Sequence, residues 1–215
     1  MRNIINYKEQ ISTLNPLDNS KFYYNPPIWK LLDKHWKERL SPFENKEISR
    51  KDIIECYKNY FEKRDSDFIH PFLLTMVWGF AKNGYGAYRT NKYLQIENHE
   101  NIQNALTNVE KGNIKGAFDS LMKIDGLSIS YVSKVLYFAT RGASIKNYTL
   151  IFDIRVARAL VEIEAGSYIA SIVSVNPSNK YIHYDKYNNL LHETAKKIDT
   201  EAECLEMFLF EFGGK

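Results

Sequence analysis

Cysteine is scarce in this sequence. Its 215 residues include only two cysteines, Cys56 and Cys204, which lie far apart. Neither forms a CxxC pair or stands at metal-ligand spacing from a histidine, so the sequence predicts no disulfide framework and no zinc site. The five histidines are equally scattered, and no metal is assigned to them. This pattern is typical of a protein in a reducing cytoplasm, which is the location that we expect.

Long apolar runs and a strong excess of one charge are also lacking. No stretch approaches the roughly 18 apolar residues that a membrane span requires. The opening residues MRNIINYKEQIST lack the apolar segment of a signal peptide, so we expect a protein that is neither exported nor membrane-embedded. The net charge of +3 is too small to identify a nucleic-acid-binding protein by itself, although a pI of 8.6 permits one.

Apolar residues at helical spacing are abundant. Hydrophobic residues make up 44% of the sequence, which is enough to form a core. The spacing predicts amphipathic helices at 28–40, 49–64, 72–82, 101–110, 113–124, 189–199 and 202–213. Only the run SYIASIVSV, 167–175, suggests the alternation of a strand. We therefore predict an all-α domain over residues 28–215, preceded by an irregular N-terminal arm, residues 1–27, which is polar and turn-rich.

The stretch LMKIDGLSISYVSKVLYF, 121–138, predicts two helices joined by a tight turn. The first helix ends near Ile124, Gly126 lies in the turn, and the second helix begins near Ser130, which places a helical hairpin at 117–140. Backbone N–H groups in such a turn, and the positive end of the following helix, can bind a phosphate oxygen. An ordinary connection between helices, with Gly126 supplying only the turn conformation, is the alternative.

The segment YTLIFDIRVARAL, 148–160, places Asp153 directly after the apolar residues Leu150, Ile151 and Phe152. Asp153 is suited to cap a helix that begins at the next residue and turns Arg155 and Arg158 outward. Capping alone would explain this aspartate. The functional alternative is a carboxylate that faces a pocket, where it could stabilise a cationic transition state or activate a nucleophile.

The segment KNGYGAYRT, 82–90, combines two glycines, two tyrosines and an arginine. In a loop that approaches DNA, Arg89 could bind a phosphate, and Tyr85 or Tyr88 could stack on a base. A helix C-cap at Gly84 followed by a packed turn is the alternative. Basic residues near the hairpin and the aspartate form either a DNA-backbone footprint or a solvated charged face: Lys123, Lys134, Arg141, Lys146, Arg155 and Arg158.

Together, IDGLSISYVSKVLYF and LIFDIRVARAL resemble the hairpin and the aspartate segment of the helix-hairpin-helix DNA glycosylases. Within that superfamily the chain is most similar to bacterial proteins with the 8-oxoguanine DNA glycosylase fold, through VWGFAKNGYGAYRT and the closing ECLEMFLFEFGGK. The resemblance covers roughly residues 70–215. It implies an all-α fold of two lobes with a cleft, and DNA binding through the hairpin at Gly126, Ser128 and Ser130. It also implies base stacking by Trp78 beside the two tyrosines.

The resemblance implies catalytic roles, with two departures from the family pattern. Asp153 matches the catalytic aspartate, but the position of the nucleophilic lysine of bifunctional members is Ser130, and Ser128 replaces the second hairpin glycine. Lys134 lies one helical turn later on the same face, about 6 Å along the axis. It is either a displaced nucleophile, which needs a lowered pKa, or a solvated or phosphate-contacting lysine. Without a lysine, Asp153 could still activate water.

Three functions follow from these patterns. The first is a DNA glycosylase, with or without lyase activity, that flips out and excises a modified purine resembling 8-oxoguanine or deazaguanine. The second is an inactive relative that binds DNA, a nucleobase or a protein partner, and the third is a structural adaptor. The resemblance further implies a monovalent cation at the hairpin carbonyls and a setting in antiphage defence operons, with a partner protein encoded beside it.

Overall fold

The computed structural model describes residues 3–164, 169 and 178–214, and it is mostly helical. The α-helices are α1 (Lys8–Ser12), α2 (Pro16–Asn19), α3 (Lys34–Leu40), α4 (Arg50–Phe61), α5 (Ile69–Phe80), α6 (Gly86–Tyr93), α7 (Ile96–Glu110), α8 (Ile114–Leu121), α9 (Ile129–Gly142), α10 (Ile154–Ile163), α11 (Tyr181–Ile198) and α12 (Ala202–Phe212). Two short strands, β1 (Lys21–Tyr23) and β2 (Glu47–Ser49), pair antiparallel. The predicted all-α class is confirmed, and the alternating run at 167–175 lies, but for Ile169, outside the described residues.

Local signals set several helix boundaries. Ser49 caps α4 in a capping box with Asp52, whose carboxylate accepts from the Ser49 N–H at 2.8 Å. Such a cap stabilises a helix by about 1 kcal/mol. The predicted cap at Ser49 is therefore confirmed. In the described part of the chain no helix is both long and apolar enough to span a bilayer.

The predicted helix at 28–40 begins later than expected. Residues Pro26–Trp29 form a 3₁₀ turn, and α3 begins only at Lys34. A proline pair supports such a turn but donates no backbone N–H to a helix. Leu31, which lies before α3, is largely exposed, whereas Trp36 within α3 is buried.

The first 27 residues are not irregular where the structure describes them. They contain α1, α2, β1 and a 3₁₀ turn at Ile4–Tyr7. Ile4, Ile11 and Tyr24 are buried in the core. The prediction of an irregular surface arm is therefore wrong for this stretch, because elements of three to five residues leave no helical or strand period to read. The domain boundary at residue 28 stays a prediction.

The segment predicted to form a hairpin comprises α8, a turn at 122–128 and α9. Gly126 has a φ of +80°, a backbone conformation that residues with a Cβ atom rarely adopt. The turn is tied down from α6, because the Tyr93 hydroxyl donates to the Gly126 carbonyl at 2.7 Å. The buried hydrophobic residues form one contiguous core that runs from the N-terminal segment to α12.

Candidate functional site

A cavity of about 580 Å³ opens between β1, α5, α9, the start of α10 and α12. Five residues that the sequence analysis singled out line it: Trp78, Ser130, Lys134, Asp153 and Arg155. They come from three helices that are far apart in the chain. This cavity is the candidate for the cleft that the resemblance implies.

Asp153 both caps a helix and faces the cavity. Its Oδ1 accepts from the backbone N–H groups of Arg155 at 3.0 Å and Val156 at 3.3 Å. Its Oδ2 lies 3.8 Å from the Nζ of Lys134. The residue is only 8% exposed and lines the cavity. Capping therefore accounts for one carboxylate oxygen and leaves the other beside the lysine in the cavity wall, and a catalytic role of Asp153 stays a prediction.

The extended segment before Asp153 is held by side chains from two helices. The Ser133 hydroxyl accepts from the Phe152 N–H at 2.9 Å, and the Asn188 side chain accepts from the Leu150 N–H at 2.7 Å. The Tyr187 hydroxyl donates to the Ile151 carbonyl at 2.7 Å, and its ring stacks on Phe152. These bonds replace the ladder that a sheet would supply, and they hold the backbone that carries Asp153.

Lys134 is buried at the cavity wall and is only 7% exposed. Its Nζ donates to Ser130 Oγ at 2.9 Å and to the Ser130 carbonyl at 3.2 Å. Helical side chains tilt toward the N-terminus of their helix, which brings the amine of residue 134 back to the level of residue 130. The interpretation of Lys134 as a solvated lysine is therefore wrong.

The surroundings of Lys134 favour the neutral amine over the ammonium form. Burial lowers the pKa of Lys134, and the nearby carboxylates of Asp153 and Glu206 oppose that shift. The ring of Tyr131 lies beside the amine, with 5.2 Å between Nζ and the ring centroid. A buried lysine with a lowered pKa is the form that nucleophilic chemistry requires.

Gly79 leaves room for this lysine. A Cβ atom built on Gly79 would lie 3.0 Å from Lys134 Cδ and 3.2 Å from Tyr131 Cε1, which is tighter than ordinary packing allows. A side chain at position 79 would therefore displace one of these two neighbours. The sequence analysis treated Gly79 only as part of a motif and did not identify this contact.

The sequence analysis also missed a buried ion pair in the cavity wall. Arg50 of α4 donates to Glu206 of α12, with 2.6 Å between Nη1 and Oε2 and 3.3 Å between Nη2 and Oε1. Both side chains are buried, and the guanidinium lies over the ring of Trp78 at 5.5 Å. Burial raises the pKa of Glu206, and Arg50 opposes that shift. The sequence offers one indication of this ion pair, which is the Glu206 carboxylate inside the largely apolar run AECLEMFLFEF.

Aromatic and backbone groups complete the cavity. The Trp78 Nε1–H donates to the Ser20 carbonyl at 3.3 Å, which joins α5 to the N-terminal segment. Phe210 of α12 packs under the Arg155 guanidinium, 4.7 Å from its ring centroid. Gly213 packs on the first turn of α10, where a Cβ built on it would clash with the Arg155 carbonyl oxygen.

The remaining predicted DNA-contacting residues lie outside the cavity lining. Tyr85 is 74% exposed and Tyr88 is 66% exposed on the first part of α6 and the turn before it. Arg89 and Arg158 are also exposed, as are Gly126 and Ser128 in the hairpin turn. Ser128 begins α9 as its N-cap, but its side chain makes no capping hydrogen bond. All six are accessible to a partner, and their roles stay predictions.

The predicted basic cluster is not one continuous surface. Lys134 is buried, and Arg141 turns toward Glu203, with 3.5 Å between the guanidinium and the carboxylate. Arg141 also lies over the ring of Tyr148 at 4.5 Å. These two residues are therefore held within the protein, which leaves Arg155 and Arg158 as the exposed arginines beside the aspartate.

The hairpin carbonyls bear on the cation that the resemblance implies. The Ile124 carbonyl accepts from the Leu127 N–H at 3.1 Å, and the Gly126 carbonyl accepts from Tyr93. Each of these carbonyl oxygens keeps a second lone pair, and the cation stays a prediction. No group of three or more His, Cys, Asp or Glu side chains suited to a metal occurs within residues 3–164, 169 and 178–214.

Comparison with known proteins identifies the family. The family model described as "Putative 8-oxoguanine DNA glycosylase OGG-like protein" matches residues 15–210. The motif resemblance covers roughly residues 70–215, and the family match also includes residues 15–69. Searches of curated proteins and of solved structures return no match. Because the family match covers most of the sequence and includes every residue named in the cavity, the chain belongs to the 8-oxoguanine DNA glycosylase OGG-like family.

Proposed function

We propose that this protein is a DNA glycosylase that excises a modified purine, with Lys134 as nucleophile and Asp153 as its proton acceptor. The observation that carries the proposal is the buried amine of Lys134 in the wall of the cavity, 3.8 Å from the Asp153 carboxylate. A lysine one helical turn beyond the family position thus occupies a site in which it can act.

The proposed reaction uses both groups in sequence. The Lys134 ammonium gives a proton to Asp153, and the neutral nitrogen bonds to C1′ of the deoxyribose. The C1′–N bond to the base breaks, its electron pair leaves with the base, and the base takes the proton from Asp153. The C1′–O4′ bond then breaks, O4′ takes a proton from the attached nitrogen, and a protonated imine joins Lys134 to C1′. Asp153 keeps its place during these steps because its Oδ1 is bonded to the start of α10.

The cavity suits a flipped-out base. Its volume of about 580 Å³ lies within the usual range for small-molecule pockets, roughly 300–1,000 Å³. Trp78, Phe22 and Phe210 supply aromatic surface, and Arg50 with Glu206 supplies polar groups. Guanine-type bases present N–H donors on their Watson–Crick edge, for which a buried carboxylate is a suitable acceptor. Both 8-oxoguanine-like and deazaguanine-like bases retain this edge.

Exposed residues around the cavity are proposed to bind the DNA. Arg155 lines the cavity and is exposed, and Arg158 lies one turn further along α10. The exposed rings of Tyr85 and Tyr88 offer stacking surface that can offset the few kcal/mol needed to extrude a base. Arg89, beside them on α6, offers a phosphate contact. Gly126, Ser128 and Ser130 of the hairpin are proposed to approach the DNA backbone.

Borohydride trapping tests this proposal. Duplexes that carry 8-oxoguanine or a deazaguanine base are incubated with the protein, and borohydride reduces any imine to a stable adduct. We expect base release and an adduct in the wild type, no adduct with Lys134→Ala, and loss of both with Asp153→Asn. Lys196→Ala removes an exposed lysine that does not line the cavity and serves as the matched control.

Other outcomes of the same experiment identify the alternatives. Base release without an adduct would contradict Lys134 as nucleophile and indicate water activated by Asp153. DNA binding without base release on every substrate would favour the inactive binding module. The role in antiphage defence, the partner protein, the hairpin cation and the cytoplasmic location stay predictions from the resemblance and the composition.

A further inference from the structure

Ser130 occupies the position at which bifunctional relatives are expected to carry the lysine. Its side chain lines the cavity, and its hydroxyl oxygen lies 2.9 Å from Lys134 Nζ. The hydroxyl belongs to the second residue of α9, one turn before the lysine. The two residues therefore form a local pair within a single helix, and their relative position does not depend on distant packing.

The Ser130 hydroxyl is a less crowded acceptor for the amine than the Ser130 carbonyl. The Ser130 carbonyl accepts from the Ser133 hydroxyl at 3.1 Å and from Lys134 Nζ at 3.2 Å. As an α-helical carbonyl it also receives the backbone N–H of residue 134. A carbonyl oxygen has two lone pairs, so three donors compete for it. The shorter contact to Oγ is therefore the one that places the amine.

We propose that Ser130 is the positioning residue of Lys134, and that its hydroxyl holds the amine at the cavity wall beside Asp153. This inference rests on the proposed function, because the place of the amine matters to catalysis only if Lys134 is the nucleophile. A lysine side chain has four rotatable bonds, and a nucleophile must stay within a few tenths of an ångström of its attack position. One hydrogen bond near the end of the chain supplies that restraint.

The other charged groups around the amine come from three further elements. Asp153 lies at the start of α10, Glu206 on α12 and Arg50 on α4, and each acts on the charge of Lys134. Tyr131 is the ring beside the amine on α9 itself. Removal of the Ser130 hydroxyl leaves these groups in place and deletes one acceptor that favours the ammonium form. The pKa of Lys134 is therefore expected to fall further in Ser130→Ala.

A titration without DNA measures this effect directly. Lysine labelled with ¹³C at Cε is incorporated, and the signal that disappears in Lys134→Ala is assigned to Lys134. We expect its midpoint to fall by about one pH unit in Ser130→Ala, as for loss of one hydrogen bond to a charged group. Ser130→Thr keeps the hydroxyl and should restore the wild-type midpoint. Ser128→Ala removes an exposed hydroxyl from the same helix start and should leave the midpoint unchanged in this DNA-free measurement.

The trapping assay supplies the second readout. At saturating DNA, Ser130→Ala should form the adduct about tenfold more slowly, and Ser130→Thr should recover most of that rate. Circular dichroism checks that each variant keeps its helices, and Ser130→Cys, a weaker acceptor, should give an intermediate midpoint. An unchanged Lys134 midpoint in Ser130→Ala would overturn the positioning role. If the wild type forms no adduct and releases no base, the proposed function is contradicted. The DNA-free titration would still decide whether Ser130 holds the amine.

Discussion

Replacement of Gly79 by alanine should separate catalysis from stability. The new Cβ would lie 3.0 Å from Lys134 Cδ and 3.2 Å from Tyr131 Cε1, so one of these side chains must move by a few tenths of an ångström. Alanine in place of a helical glycine stabilises by about 0.5–1 kcal/mol, whereas overpacking costs about 1–3 kcal/mol. The two effects oppose each other, and we expect a net loss of roughly 0–2 kcal/mol in the free energy of unfolding.

Gly79→Ala should affect the rate of adduct formation more strongly than it affects the free energy of unfolding. Misplacement of a reacting group by about 1 Å can cost about a hundredfold in rate, so a shift of a few tenths should slow adduct formation about tenfold. The assay is single-turnover borohydride trapping at saturating DNA, with urea unfolding measured in parallel. Gly84→Ala is the matched control, because a Cβ at Gly84 would meet nothing within 4 Å. A Gly79→Ala protein that traps at the wild-type rate would refute the packing argument.

Three further predictions concern the same cavity. Asp153→Asn should abolish base release and lower the free energy of unfolding by about 3 kcal/mol in a urea titration, because asparagine caps a helix about as well as aspartate but leaves the buried Lys134 ammonium without its carboxylate partner. Arg50→Met should lower the free energy of unfolding by about 3–5 kcal/mol because it leaves Glu206 buried without its partner, and Arg50→Met/Glu206→Leu should recover most of that loss. Ser130→Lys in the Lys134→Ala background should restore a trapped adduct, since residue 130 lines the same cavity; a double variant as inactive as Lys134→Ala would contradict this.

The features that sequence predicted are those set by local chemistry. Ser49 and Asp153 cap helices because their side chains bond to the backbone within three residues, a relation that sequence shows directly. Gly126 marks the hairpin turn for the same reason, since its positive φ is a property of one residue. Most helices of the core followed from the spacing of apolar residues, but α3, α7 and α11 begin five to eight residues away from their predicted starts, and α6 was not predicted.

The features that sequence did not predict depend on distant partners. Arg50 and Glu206 lie 156 residues apart and meet only when α4 packs near α12. The burial of Lys134 likewise depends on the space left by Gly79 of α5, which no periodicity within α9 can indicate. The short elements before α4 were not predicted for a different reason, because three to five residues are too few to display a period.

The lysine at position 134 carries the central claim, and mapping of the trapped adduct tests it most directly. The reduced protein–DNA adduct is digested with protease and nuclease, and mass spectrometry locates the lysine that bears the deoxyribose remnant. We predict a single modified peptide with the remnant on Lys134, next to Ser130 and Asp153 in the cavity wall. A remnant on any other lysine, or base release with no modified lysine, would contradict the claim.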